Sequence, residues 1–137
     1  MSRSLEAYAV AGFLASALAH FLTLGQVPIP TEVLLGITIA LFPVFILAIL
    51  IHPARHTDLT GTYVFWDDVK NIPVWLHVLV WASLAYDIVL WLQIPMRHFS
   101  LTTNMTYGQR MIASWTPAVF YAASFCLLLS ARKRFGP

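Results

Sequence analysis

The chain has 137 residues, of which 59% are hydrophobic and 10% are charged, and its formal net charge is +2. A soluble domain carries about 25% charged residues, so this composition argues against an ordinary soluble globular protein. The small net charge, without a basic cluster interleaved with aromatic residues, argues against a nucleic-acid partner. Because the apolar residues come in long blocks, we expect a lipid bilayer to surround most of the chain.

Four segments are predicted to span the membrane, since a spanning helix needs about 20 predominantly apolar residues. Residues that begin or end helices lie at their borders: Gly25 follows the first segment, Thr31 is a candidate N-cap of the second, and Pro53 ends it. Pro73 begins the third segment and Pro95 ends it. The predicted spans are residues 5–24, 31–51, 73–94 and 110–131.

The distribution of lysine and arginine predicts the orientation of these spans, because cytoplasmic loops are enriched in both residues. With four spans, both termini and the loop 52–72 lie on one side, and only Arg97 and Arg110 lie on the other. We therefore predict an all-α, multi-pass protein of the cell membrane, an antiparallel four-helix bundle with both termini and loop 52–72 in the cytoplasm. The basic residues on the predicted cytoplasmic side are Arg3, Arg55, Lys70, Arg132, Lys133 and Arg134.

Two prolines, Pro43 and Pro117, lie inside the second and fourth spans and are expected to kink them. Proline frees a backbone carbonyl, which must be satisfied by a neighbouring group in a membrane. Ser114 and Thr116 are close enough in sequence to supply that group in the fourth span. We interpret both kinks as packing features, with a gating hinge as the alternative.

The tryptophans are predicted to mark the membrane boundary, where indole rings prefer to lie. Trp66, Trp75, Trp91 and Trp115 fall near predicted span ends. Trp81 lies deeper, and we expect it to pack against other helices.

Rows of residues at a spacing of four run along the first and fourth spans, and residues four apart share a helix face. Small residues let membrane helices approach closely, and such contact drives much of their association. We therefore predict that these faces are buried within the bundle or between protomers. The rows are Ala7, Ala11, Ala15 and Ala19; Tyr8, Gly12, Ser16 and His20; and Ala118, Ala122, Cys126 and Ser130.

Asp87 lies inside the third span, where an ionised carboxylate costs at least about 2.5 kcal/mol. Such a residue should face the bundle interior or a watery cavity and have a partner. Asp87 lies about 10 Å below the outer end of its helix, and His20 lies at a comparable depth, so we predict that the two meet directly or through water. This pair is either a functional site or a structural clasp, and Ser16 and Ser83 complete the predicted polar site.

The loop histidines are candidates for a transition-metal site, since imidazole and carboxylate groups can ligate such a metal. His52 and His56 have the spacing that shares a helix face, although Pro53 argues against a helix there. Haem ligation by His20 and His77 is disfavoured because the two lie near opposite faces of the membrane. The candidate metal ligands are His52, His56, Asp58 and His77, and the sequence identifies no cofactor.

Three functions stay open from the sequence. The leading hypothesis is a structural or accessory subunit, either a homo-oligomer or part of a membrane complex, assembled through the small-residue faces and the Trp66–Asp68 loop. It leads because the spans contain few polar groups and no recognisable catalytic motif. The alternatives are an oligomeric channel or transporter that uses Asp87 and His20, and a membrane-embedded enzyme that acts on a lipophilic substrate.

Overall fold

The computed structural model describes residues 2–51, 71–93 and 105–135. These residues form four α-helices, and each is long and apolar enough to cross a membrane. The predictions of an all-helical chain and of four segments able to span a membrane are thereby confirmed. The helices are α1, Ser2–Leu24; α2, Thr31–Ile51; α3, Val74–Gln93; and α4, Tyr107–Phe135.

α4 begins three residues before its predicted start because Thr106 and Gln109 form a capping box. The Thr106 backbone N–H donates to Gln109 Oε1 over 3.0 Å, and the Gln109 N–H donates to Thr106 Oγ1 over 3.3 Å. The two side chains thus satisfy N–H groups that have no partner within the helix. At its other end, α4 continues four residues beyond the predicted end.

α1 ends in a turn whose left-handed residue is Gln26, with φ of 58°, and not the neighbouring Gly25. The Gln26 N–H donates to the Thr23 carbonyl over 3.0 Å, and the Val27 N–H donates to the Leu22 carbonyl over 2.9 Å. This pair of bonds is the Schellman pattern that closes many helices, usually with glycine in the left-handed position.

α4 is the central helix of the fold. It packs against each of the other three helices, and α1 also packs against α2. Its side chains Ile112, Tyr121 and Leu128 are among the largest fully buried ones in the described chain. Within the described residues, the backbone of α3 approaches that of α4 alone. α3 is therefore attached to the bundle along one side.

Contacts between helix termini define the two ends of the fold. At one end, here called the terminal end, Arg132 Nη1 of α4 pairs with Glu6 Oε2 of α1 over 3.1 Å. At the other, the turn end, Arg110 Nη1 donates over 2.7 Å to the Ile29 carbonyl in the turn 25–30. α1 and α4 therefore run in opposite directions, and the start of α1 and the end of α4 both lie at the terminal end.

Hydroxyl groups from neighbouring helices reach the α2 backbone before Pro43. Tyr8 OH of α1 donates to the Ala40 carbonyl over 3.0 Å, and Tyr121 OH of α4 donates to the Ile37 carbonyl over 3.0 Å. Pro43 removes the helical donor of the Ile39 carbonyl, and the two hydroxyls bond to carbonyls on either side of that position. The helix continues through the proline.

The same arrangement recurs before Pro117 in α4. Ser16 Oγ of α1 donates to the Ser114 carbonyl over 2.6 Å. The Ser114 hydroxyl itself donates to the Met111 carbonyl over 2.9 Å, and the Thr116 hydroxyl donates to a carboxylate on α3. The carbonyl that Pro117 leaves without a helical donor is that of Ala113, four residues earlier, so the Ser16 bond reaches the next carbonyl along the chain. The role of Ser114 and Thr116 at the freed carbonyl stays a prediction.

The alanine row of α1 lies mostly outside the core. Ala7, Ala11 and Ala15 are exposed and Ala19 is buried, so burial within the bundle does not hold for the first three, and burial between protomers stays a prediction. The reason is geometric: a row at a spacing of four rotates by about 40° per step in a helix of 3.6 residues per turn. The core seam alternates spacings of three and four and includes Glu6, Ala9, Ser16, His20 and Thr23.

The second row faces α4 from Gly12 onward. Gly12 packs directly on the Tyr121 ring, and a Cβ added to this glycine would overlap that ring. Close approach of the two helices therefore depends on glycine at this position. On the facing helix, Ala118 and Ala122 are buried.

Candidate functional site

His20 projects from α1 into the core, where it is 2% exposed. Its Nδ1 lies 3.0 Å from Ser114 Oγ of α4, and its Nε2 lies 3.0 Å from the Tyr86 hydroxyl of α3. Ser16 lies one turn earlier in α1 and bonds to the Ser114 carbonyl. We call these four residues the His20 cluster; they connect three helices at one level of the membrane span.

The hydrogen bonds of Ser114 indicate which nitrogen of His20 carries a proton. A serine hydroxyl has one hydrogen to donate, and Ser114 gives it to the Met111 carbonyl. Ser114 Oγ therefore accepts from the Nδ1–H of His20. Nε2 of the neutral ring is then free to accept from the Tyr86 hydroxyl, an assignment inferred from the bonding pattern. Both ring nitrogens are satisfied without a charge.

Trp115 of α4 packs beside the His20 cluster. Its ring centroid lies 4.8 Å from that of His20 and 5.4 Å from that of Tyr86. Its indole N–H donates to the Ser83 carbonyl of α3 over 3.1 Å. Trp115 is therefore a contact between helices, and its position at the membrane boundary stays a prediction.

Asp87 of α3 is 7% exposed and faces α4. The Thr116 hydroxyl donates to Asp87 Oδ1 over 2.8 Å, and the Trp91 indole N–H donates to Thr116 Oγ1 over 3.3 Å. We call Asp87, Trp91 and Thr116 the Asp87 cluster. A carboxylate inside a membrane helix is expected to turn inward and to find hydrogen-bond donors, and this cluster supplies them.

A direct contact between His20 and Asp87 is not among the hydrogen bonds and ion pairs of the described residues, which include both side chains. His20 bonds to Ser114 and Asp87 bonds to Thr116, two residues apart on α4. The reason is that α4 lies between α1 and α3, whose backbones do not pack on one another. The side chain that reaches His20 from α3 is Tyr86, next to Asp87. A contact through water stays a prediction.

Several partners in these clusters were not predicted from the sequence as members of the polar site. They are Tyr86, Trp91, Ser114 and Thr116. Of the predicted serines, Ser16 bonds within the His20 cluster. Ser83 is buried, and its backbone carbonyl accepts a hydrogen bond from Trp115. A usable signal was present: Ser114, Trp115 and Thr116 are three consecutive hydrogen-bonding residues before a proline in the middle of a span.

The metal-site prediction falls largely outside the described residues, since His52, His56 and Asp58 lie there and only His77 is described. Among the described residues, no three histidine, cysteine, aspartate or glutamate side chains come close enough to hold a metal ion. His77 is half-buried in α3. The metal site therefore stays a prediction for the loop.

Two apolar grooves flank α3 on the surface of α4. One, of about 290 Å³, lies between α2, α3 and α4, and Trp91 and Thr116 of the Asp87 cluster contribute to its wall. The other, of about 160 Å³, lies between α1, α3 and α4. Both follow from the attachment of α3 along one side only. Aromatic residues that line them are Phe42, Phe45 and Phe120 in the first and Phe13, Trp75 and Phe125 in the second.

The bonded serine and histidine, Ser114 and His20, do not form a nucleophile–base pair. In such a pair the hydroxyl donates to the imidazole, whereas Ser114 donates to a carbonyl and is fully buried. The second ring nitrogen of His20 meets the Tyr86 hydroxyl, not a carboxylate. The clusters are thus hydrogen-bond networks that link helices. Comparisons with protein-family models, curated proteins and solved structures find no match to this chain.

Proposed function

We propose that this chain is a structural or accessory subunit of the cell membrane that works by assembling with other membrane-embedded chains. The observation that carries this proposal is the bonding of its two polar clusters between helices. His20 and Asp87 are the polar groups best suited to chemistry or transport, and both are engaged in bonds between helices. Because these groups hold the bundle together, we assign the function to the outward surfaces of the helices.

The proposed orientation places both termini in the cytoplasm. Arg3, Arg132 and Lys133 belong to the helices that meet at the terminal end, and Arg110 is the basic residue described at the turn end. An excess of lysine and arginine favours the cytoplasmic side. The terminal end is therefore the cytoplasmic end in this proposal.

The proposed contact surface is the exposed alanine face of α1, formed by Ala7, Ala11 and Ala15. These side chains are exposed, so the flat strip that they form is open to a second helix. Close contact across such small residues supplies association energy that contact with lipid tails does not. The partner helix belongs either to a second copy of this chain or to another subunit.

Bulky substitution on this face tests the proposal. Ala11→Ile should separate the chain from its partner when the protein is extracted from its own membrane with mild detergent. Ala85→Ile is the matched control, because Ala85 is an exposed alanine in the middle of α3. Loss of the co-extracted chain in Ala11→Ile alone would support the proposal, and equal retention in both variants would contradict it.

The second candidate is a small oligomeric channel or transporter. It is favoured by a buried carboxylate, Asp87, and a buried imidazole, His20. Both bond to the same stretch of α4, just before Pro117. Its weakness is that the hydroxyl chain from His20 ends at the Met111 carbonyl. Proton or ion flux into liposomes that contain the purified chain, abolished by Asp87→Asn, would replace the accessory proposal with this one.

A further inference from the structure

A pocket of about 450 Å³ opens at the turn end, away from the two clusters. We call it the turn pocket. Its walls come from the last turn of α1, the connection to α2 and the first turn of α4. Its lining combines apolar side chains with side chains that carry hydrogen-bonding groups. The lining residues are Thr23, Gln26, Val27, Pro28, Tyr107 and Arg110.

Arg110 brings a charge to this pocket that the described residues do not neutralise. Its guanidinium donates to two backbone carbonyls, to Ile29 over 2.7 Å and to Met105 over 3.4 Å. Both acceptors are neutral, so the positive charge persists. The arginine at the terminal end differs, because Arg132 has Glu6 as its counter-ion.

The sequence around the turn pocket offers little negative charge. Residues 25–30 and 94–109 contain no aspartate or glutamate. Glu32, in the first turn of α2, is the acid described nearest to this end in sequence, and it is exposed and forms no ion pair with Arg110 among the described residues. Arg97 and His98 add further basic character to the same segment. The counter-ion of Arg110 is therefore expected from outside the chain.

Gln26 contributes an amide side chain to the pocket at a conformational cost. It takes the left-handed backbone conformation, which disfavours residues with a Cβ and for which glycine is the usual choice. Gly25 stands one position earlier, yet the left-handed position holds glutamine. A local cost of this kind at a pocket wall is a reason to look for a ligand that the side chain contacts.

We propose that the turn pocket binds the phosphate group of an anionic phospholipid. Arg110 donates charge-assisted hydrogen bonds to phosphate oxygens, a role that the guanidinium fork suits well. The Gln26 amide and the Tyr107 hydroxyl are the neutral donors beside it, and Val27 and Pro28 contact the apolar part of the lipid. A lipid is the fitting source because the pocket lies where membrane-spanning helices end, at the level of headgroups.

The test is a titration of the delipidated full-length protein in detergent, followed by intact-protein mass spectrometry. The probes are short-chain phosphatidylglycerol, short-chain phosphatidylcholine and inorganic phosphate. We expect phosphatidylglycerol to bind most tightly, and Arg110→Gln to weaken it roughly tenfold, the loss of one hydrogen bond to a charged group. Arg3→Gln, which removes an exposed arginine near the other end, should leave the affinity unchanged.

Gln26→Gly keeps the test decisive if Arg110→Gln disturbs the fold, since Arg110 also ties α4 to the turn. Glycine suits the left-handed position, so this variant should melt at a higher temperature and yet bind phosphatidylglycerol more weakly. Unchanged affinity in both Arg110→Gln and Gln26→Gly would overturn the proposal. Equal binding of the two lipids, or binding of inorganic phosphate without phosphatidylglycerol, would also overturn it.

Discussion

Replacement of Gly12 by alanine should destabilise the protein, although alanine is the better helix former. Gly12 of α1 lies against the ring of Tyr121 in α4, and a methyl group at this position would overlap the ring. Tyr121 is 1% exposed, and its hydroxyl donates to the Ile37 carbonyl over 3.0 Å. The ring therefore cannot move away without giving up its packing or this bond.

Gly36→Ala is the matched control, because Gly36 also lies inside a helix and a Cβ there meets nothing within 4 Å. Both substitutions gain the same helix-propensity term of about 1 kcal/mol, so this term cancels between them. The two variants then differ by the cost of overpacking at Gly12, about 1–3 kcal/mol. The strained hydrogen bond from Tyr121 to Ile37 adds about 0.6 kcal/mol. We expect Gly12→Ala to be less stable than Gly36→Ala by about 2–4 kcal/mol.

Reversible unfolding in detergent micelles, followed by tryptophan fluorescence, measures this difference. A double variant, Gly12→Ala with Tyr121→Leu, should recover part of the loss, because leucine vacates the space that the new methyl group needs. If Gly12→Ala and Gly36→Ala had equal stabilities, α1 and α4 would not be in the close contact described, and the reasoning would be refuted.

Three further predictions concern the polar contacts. Thr116→Val should lower the free energy of unfolding in micelles by about 1–2 kcal/mol, whereas Asp87→Asn should lower it less, because the amide oxygen still accepts from Thr116; the reverse order would contradict the Asp87 cluster. Arg132→Gln should lower the melting temperature more than Glu6→Gln, because it leaves the carboxylate of Glu6, 7% exposed, without its cation; equal shifts would show that the pair is not buried. His20→Phe keeps a ring but loses two bonds between helices, at about 0.6 kcal/mol each, and an unchanged unfolding free energy would remove the His20 cluster from the stability of the fold.

The helices were largely predictable from the sequence because lipid imposes a strong requirement on composition and length. α2 has the predicted bounds, Thr31–Ile51. The start of α4 was missed because it depends on a reciprocal pair of side-chain bonds between Thr106 and Gln109, whereas the apolar block begins later. Hydropathy thus locates a span, and local capping decides where its helix begins.

The inward position of Asp87 followed from the cost of a carboxylate in hydrocarbon, and the structure buries it. Its partner did not follow, because depth along a helix says nothing about which helix is its neighbour. His20 and Asp87 were expected together at matched depth, yet α4 lies between their helices and bonds to each of them. To predict which side chains meet, one must know the order of the helices around the bundle. Four similar apolar segments give no sign of that order in the sequence.

The alanine face shows a related limit. Spacing identified a flat strip on α1, but not the direction in which it points. The buried seam follows His20 and Ser16, whose side chains bond to α4, and this choice turns Ala7, Ala11 and Ala15 outward. The polar hydrogen bonds to α4 therefore set the rotation of α1 about its axis, and this rotation places the alanines on the outer surface.

The mass of the native species tests the central claim most directly. The protein would be extracted from its own membrane with mild detergent and measured by native mass spectrometry. An accessory subunit predicts a species heavier than one chain of 15.4 kDa, with a fixed stoichiometry to its partner chain. A species of 15.4 kDa, the mass of a single chain, would contradict the claim that this protein functions by assembly.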